Sequence, residues 1–146
     1  MILEKKGVGK MQAYELNTQA AEQAVDVTGK VQEALDRSGL ANGAVLVYCP
    51  HTTAGITINE DADPTVMDDL FLIFEGLVPK QQPRFRHLEG NSHAHAKASL
   101  IGASALVPVA EGKLELGTWQ GIYFMEFDGP RKRRLLMQFL VGESQK

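Results

Sequence analysis

Four histidines fall between positions 51 and 95 of this 146-residue chain, beside a dense group of carboxylates. His51 opens the stretch HTTAGITINE. Two hydroxyls, Thr52 and Thr53, follow it, and Asn59 and Glu60 close a short alternating apolar run. His87 falls in a polar loop, and His93 and His95 fall at the start of a helix. Residues two apart on a helix project about 200° apart, so His93 and His95 cannot both enter one pocket. The reading places His95 in the pocket and His93 at the helix mouth. Neutral imidazole ligates Zn²⁺ and similar ions and moves protons near neutral pH. His51, His87 and His95, from three separate segments, are the right number for an open metal site. A divalent cation, Zn²⁺ or Mg²⁺, is the cofactor this predicts. The plainer reading of each ring is a hydrogen bond to backbone or solvent.

Around these rings stand further polar candidates. Glu60 ends the strand, while Asp61 and Asp63 in DADP read as turn and cap chemistry. Asp69 follows Val66 by three residues, at the margin of an apolar stripe, where a carboxylate is partly desolvated and can face a pocket. Glu60 or Asp69 would then handle a proton. Asp68 and Glu75 lie on the polar face. GTWQG (117–121) holds the single tryptophan, Trp119, which reads either as core packing or as an aromatic wall for a flat ligand. In the second reading Thr118 and Gln120 supply hydrogen bonds. RKRR (131–134) reads as a solvated hairpin, or as a phosphate cradle in which Arg133 offers a bidentate fork.

Other chemistries fail on spacing. GKLELGTW has two glycines at P-loop spacing, but Thr118 stands where the lysine belongs. GVGKMQ lacks the third glycine of a dinucleotide fingerprint. HLE (87–89) resembles a zinc-deaminase motif, but one cysteine cannot supply the cysteine pair. There is no G-x-S-x-G elbow and no H-E-x-x-H.

The elements that must carry these residues follow from periodicity. Residues about 2–16 predict one or two strands. Thr28 is placed to cap a helix GKVQEALDRSG that ends near Gly39. GAVLVYC (43–49) reads as a strand that Pro50 stops, followed by the alternating strand AGITI. Asp63-Pro64 starts a helix whose stripe is Val66, Met67, Leu70, Phe71, Phe74, Leu77 and Val78, ending near Pro79. Residues 79–92 read as loop, and Asn91 or Ser92 caps HAHAKASLIGAS. ALVPVA and KLEL are joined by the turn EG. GIYFMEF and RRLLMQFLV are joined through DGPRK, which reads as a hairpin. These last strands are apolar at odd and even positions alike, so both faces should be covered. The fold class predicted is α+β, an antiparallel β-sandwich flanked by a few helices and forming an oligomer.

Composition limits the function classes. The chain is 44% hydrophobic with a net charge of −3, which suits one domain over 1–146 and argues against nucleic acid as a partner. MILEKKGVGK has no apolar core of a secretory signal. The longest apolar run, LFLIF, is far below the roughly 20 residues that span a bilayer. A lone Cys49 fits a reducing, cytoplasmic setting.

The blocks PHTTAGITINEDADPTVMDDL, HLEGNSHAHAKASLIGAS and VPVAEGKLELGTWQGIYFMEFDGPRKRR resemble the YjbQ-like family from about Val25 to the C-terminus. The resemblance implies an antiparallel sandwich flanked by helices, a homotrimer, and a weak, secondary thiamine-phosphate synthase activity. The family's polar positions fall on His51, Thr52, Thr53, Asn59, Glu60, Asp69, His87, Asn91, His95, Thr118, Trp119, Gln120 and Glu126. Where some relatives carry a doubled acid before the asparagine, this chain has Glu89 alone. Three functions follow as expectations. One is a thiamine-phosphate-synthase-type transfer acting on small phosphorylated molecules. Another is a metal-dependent hydrolase of a small phosphorylated or carbonyl compound. The third is a non-catalytic trimeric module that binds an anion or metabolite.

Overall fold

Two antiparallel sheets and three helices make up the described part of the chain, residues 2–3 and 9–142 of a computed structural model. In chain order the elements are β1 (Ile2–Leu3), β2 (Gln12–Asn17), β3 (Gln23–Asp26), α1 (Thr28–Ser38), β4 (Gly43–Tyr48), β5 (Ala54–Glu60), α2 (Thr65–Leu77), α3 (Ser92–Ile101), β6 (Ser104–Ala110), β7 (Lys113–Leu114), β8 (Gln120–Glu126) and β9 (Lys132–Val141). The larger sheet runs β1-β2-β9-β4-β6-β7 and the smaller β3-β8-β5. The predicted α+β sandwich is the observed architecture. No helix of the described residues is long and apolar enough to cross a membrane.

The main core lies between the sheets and under α1. Val45, Val47, Val107, Leu135, Met137 and Phe139 come from the larger sheet, and Ile56, Ile122 and Phe124 from the smaller. The opposite face of the smaller sheet carries Tyr123 and Met125, which α2 and α3 cover with Met67, Ala94 and Ala98. The doubly apolar pattern of β8 is thus explained by a sheet on one side and helices on the other. On β9 the pattern has a different outcome. Leu135, Met137 and Phe139 face the core, but the other face stays open, with Leu140 45% exposed beside Leu106 at 61% and Tyr48 at 41%.

Several local expectations are corrected. DGPRK does not form a hairpin, because β8 and β9 belong to different sheets. It is a corner, and residues 49–53 between β4 and β5 form a second corner of the same kind. The Phe127 amide donates to the Thr53 carbonyl at 3.1 Å, which sets the two corners side by side. Thr28 does not cap α1. Asp26 accepts both the Thr28 amide (2.9 Å) and hydroxyl (2.6 Å), and the Thr28 oxygen accepts the Ile122 amide at 2.8 Å. Asp63 sits one residue outside the N-cap of α2 and accepts from Thr65, since Pro64 has no amide to offer. Leu77, placed in the apolar stripe by spacing, is 68% exposed at the helix end. KLEL is strand only at Lys113–Leu114. The EG turn is as expected: Glu111 and Gly112 both have positive φ (51° and 74°), the conformation that a two-residue hairpin of this hand requires.

Candidate functional site

Strand corners release backbone from the ladder and let polar side chains gather. Here the two corners, the loop before α3 and the first turn of α3 enclose a hollow of about 310 Å³. Pro50, His51, Thr52 and Thr53 come from the first corner. Asp128 and Arg131 come from the second, Arg133 from the start of β9, His87 and Glu89 from the loop, Asn91 from the N-cap of α3 and His95 from its first turn. A second hollow of about 510 Å³ adjoins it along β5 and α3, sharing His51, Thr52 and His95.

Three of the four imidazoles therefore border one space. His93 does not line it, as its projection from α3 dictates. His87 and His95 stand edge to face, ring centroids 5.1 Å apart at 77°. His51 is fixed differently: its Nε2 accepts the Arg134 amide at 2.9 Å, and its ring meets Phe124 edge-on. That bond puts the proton of the neutral ring on Nδ1. Burial, with the positive charge of Arg133, holds the His51 pKa below its ordinary value. His51 is thus a neutral ring with Nε2 already committed. Among the described residues, no three His, Cys, Asp or Glu side chains are grouped so as to hold a metal ion. As they stand, the three imidazoles do not fit a three-histidine ion site, because one donor atom is spent on backbone.

The strongest polar feature lies at the back wall. Glu126, fully buried, accepts Arg133 Nε at 2.8 Å and also Arg133 Nη2. It further accepts the Thr18 hydroxyl at 2.7 Å and the amides of Phe127 and Asp128, each at 3.1 Å. Burial alone would raise its pKa, but the Arg133 and Thr18 bonds outweigh burial and hold the carboxyl below its ordinary value. Arg133 Nη2 also donates to Thr53 Oγ1 at 2.8 Å, leaving Nη1 with no hydrogen bond to a described residue. Nearer the rim, Asp128 accepts from Asn91 Nδ2 (2.8 Å) and Arg131 Nη2 (2.9 Å). These bonds outweigh its own desolvation and lower its pKa. The Cys49 thiol is buried behind His51 and its pKa is raised chiefly by burial, so it is no nucleophile at neutral pH.

The remaining candidates lie elsewhere. β5 pairs with β8 from Ala54 opposite Glu126 to Glu60 opposite Gln120. Six residue steps at about 3.3 Å put Glu60 roughly 20 Å from the hollow end of the strand. Asn59, Glu60, Thr118, Trp119 and Gln120 gather at that far end. Trp119 is 63% exposed there, neither core nor wall of the hollow. Gln120 Oε1 accepts the Gly117 amide, and the Glu60 carbonyl accepts the Tyr123 hydroxyl. Asp69 is exposed on α2 and does not line the hollow. Asp128 is a site residue that sequence reading missed. Its signal, an acid within FDGPRKRR, was hidden by reading that segment as a solvated turn.

Comparison with known proteins agrees with this architecture. The sequence model of the family described as "UPF0047 protein YjbQ-like" matches residues 12–142. UPF0047 protein YugU of Bacillus subtilis is 47% identical over 130 residues, 89% of this chain and 98% of that protein. UPF0047 protein MJ1081 of Methanocaldococcus jannaschii is also 47% identical over 130 residues, covering 89% and 93%. Among solved structures, a YjbQ/UPF0047 protein of Clostridium acetobutylicum shares 51% identity at a TM-score of 0.85, covering 88% and 98% of the two chains. APE1520 of Aeropyrum pernix shares 40% identity at 0.85, covering 91% and 99%. The matched span takes in both corners, α3 and every residue of the hollow, and the chain belongs to the YjbQ-like UPF0047 family.

Proposed function

We propose that the hollow binds the phosphate or diphosphate group of a small metabolite. The observation that carries this reading is Arg133, a buried guanidinium that lines the hollow while Glu126 and Thr53 hold it in place. Nε and Nη2 are held by these partners, and Nη1, fixed before a ligand arrives, loses little entropy when it donates to an anion. Arg131 and the Thr52 hydroxyl stand on the same walls. Titration of inorganic phosphate and diphosphate by calorimetry tests the reading directly. Wild-type protein is expected to bind, and Arg131→Ala is expected to weaken binding about tenfold, the scale of one charge-assisted hydrogen bond. Absence of heat with either anion would reject the site.

The reaction that best uses such a site is transfer of the thiamine-phosphate-synthase type. A pyrimidine methylene bonded to diphosphate loses that group, which departs with the bonding electron pair. The thiazole nitrogen of the second substrate then forms the new bond. Arg133 and Arg131 would take the leaving charge, with His95 and His87 placed to supply a proton to it. Trp119 is absent from the hollow of a single chain, so no aromatic wall orients the ring there, which supports a slow reaction. His95→Ala is expected to remove the turnover, and unchanged product formation by that variant would refute the assignment. Metal-dependent hydrolysis has less support, since His51 commits Nε2 to Arg134 and neither Glu60 nor Asp69 reaches the hollow.

The chain is further proposed to work as a homotrimer. The open face of the larger sheet presents Tyr48, Leu106, Leu136 and Leu140 together, an apolar patch of the kind a second copy covers. Leu106→Glu is expected to lower the mass in sedimentation velocity from trimer to monomer. A Leu106→Glu protein that sediments as wild type would move the interface elsewhere.

A further inference from the structure

The turn that carries Trp119 is held by three hydrogen bonds. The Gln120 amide donates to the Gly117 carbonyl at 3.0 Å, the Gly117 amide to the Gln120 side-chain oxygen at 2.8 Å, and the Asp61 amide to the Trp119 carbonyl at 2.9 Å. A turn fixed this firmly still leaves its indole 63% exposed. Two carboxylates stand beside it, since Glu60 pairs opposite Gln120 and Asp61 is bonded to the turn itself. Neither forms an ion pair with a described residue.

The hollow end has the complementary character. Residues 81–90 are all exposed. Backbone bonds order this loop, from the Phe85 amide to the Gln82 carbonyl (3.0 Å) and from the Gly90 amide to the His87 carbonyl (3.2 Å). Yet Phe85 and Leu88 stay exposed beside His87 and Glu89, which line the hollow. Arg84 and Arg86 of the same loop form no ion pair with a described residue. Of the residues lining the hollow, only Pro50 is apolar.

One end of the chain thus offers apolar side chains with unpaired cations, and the other an indole with unpaired anions. Roughly 20 Å of β5 separates them within a chain, so they can meet only between chains. A contact between unlike patches is head-to-tail, and it closes into a ring where the rotation allows. The open face of the larger sheet leads to the same place, because Tyr48 ends β4 two residues before Pro50. Tryptophan and arginine are also the side chains that most often anchor an interface. We propose that Trp119 of one copy closes the hollow of the next, packing on Leu88 and Phe85 while Glu60 and Asp61 meet Arg84 and Arg86. The indole is then an apolar lid, and the site is complete only in the assembly. This rests on the homotrimer and phosphate readings above.

Trp119 is the only tryptophan, so intrinsic fluorescence reads its surroundings in the wild-type protein. Its emission is expected well to the blue of N-acetyltryptophanamide, with several-fold weaker quenching by acrylamide. Quenching in proportion to the 63% exposure of the single chain, in a trimeric wild type, would overturn the proposal. Hybrid trimers then locate the indole. Trp119→Ala and Arg131→Ala, each alone, are expected to bind diphosphate about tenfold more weakly than wild type in calorimetry. Unfolded together in equal amounts and refolded, they should regain roughly a quarter of the tight sites, since half the hollows are intact and half of those meet an intact indole. Wild-type affinity in Trp119→Ala, or hybrids that regain no tight site, would sink this inference alone if the wild type is a trimer that binds diphosphate. A wild-type protein that sediments as a monomer would sink the homotrimer reading with it, and one that binds no diphosphate the phosphate reading.

Discussion

Glu126→Ala is expected to cost about 3–5 kcal/mol of folding stability, read as a lower urea midpoint, because it leaves the buried Arg133 guanidinium without its counter-charge. The loss is large because the carboxylate is a shared partner. It accepts from Thr18, from two Arg133 nitrogens and from two corner amides, and so ties β2, β8, β9 and the second corner together. Replacing both charges, as Glu126→Leu with Arg133→Met, is expected to recover only the part of the loss due to the unpaired guanidinium while abolishing phosphate binding, since the Thr18 hydroxyl and the Phe127 and Asp128 amides still lack their acceptor. A Glu126→Ala protein within 1 kcal/mol of wild type, roughly the worth of an exposed pair, would mean the pair is solvated. The same group sets the acid limit. Its folded pKa lies below its ordinary value, so its contribution is complete above the ordinary carboxylate range and is lost as pH falls through the folded value. His51 has the same sign. Its folded pKa is lowered, so its contribution begins to decline at a higher pH, as pH falls below the ordinary histidine value and protonation of Nε2 breaks the Arg134 bond. Stability measured against pH should therefore fall in two stages on acidification, and His51→Gln should diminish the first, to which His93, also lowered chiefly by burial, adds a share of the same sign.

Gly55→Ala is expected to weaken phosphate binding at least tenfold and to lower stability by about 1–3 kcal/mol, the usual cost of overpacking. A methyl group at Gly55 would lie 2.6 Å from the Gly102 carbonyl oxygen and 2.9 Å from Ile101 Cγ2, so β5 and the end of α3 would have to part. The Ile56 amide donates to that same Gly102 carbonyl at 3.0 Å, which makes the approach a backbone contact with little slack. His51 and Thr52 lead into β5 and His95 sits on α3. Separating those two elements widens the hollow without touching any residue that lines it. Far-UV circular dichroism would establish that the fold persists, and calorimetry with diphosphate would read the site. Wild-type affinity in folded Gly55→Ala would show that the spacing of β5 and α3 does not set the geometry of the hollow.

Much of this molecule was legible in its residues. Strand and helix existence followed from periodicity, which local backbone geometry enforces. The separation of His95 from His93 followed from the turn of a helix. The doubly apolar β8 announced layers on both sides of it, as Tyr123 and Met125 against the helices and Ile122 and Phe124 against the other sheet bear out. Tertiary structure decided what periodicity cannot encode, namely which strands share a sheet. A hairpin and a corner need the same turn residues, so DGPRK looked solvated, yet it carries the chain between sheets and brings Asp128 and Arg131 beside His51. The stretch HTTAGITINE looked like one polar site in sequence. An extended strand holds its two ends roughly 20 Å apart, so the imidazole joined the arginines while Glu60 joined Trp119. The sequence itself determined which side chains were available and which local elements would carry them. Long-range packing chose their neighbours, because the pairing of β9 with β4 and β2, rather than with β8, rests on contacts between segments far apart in the chain.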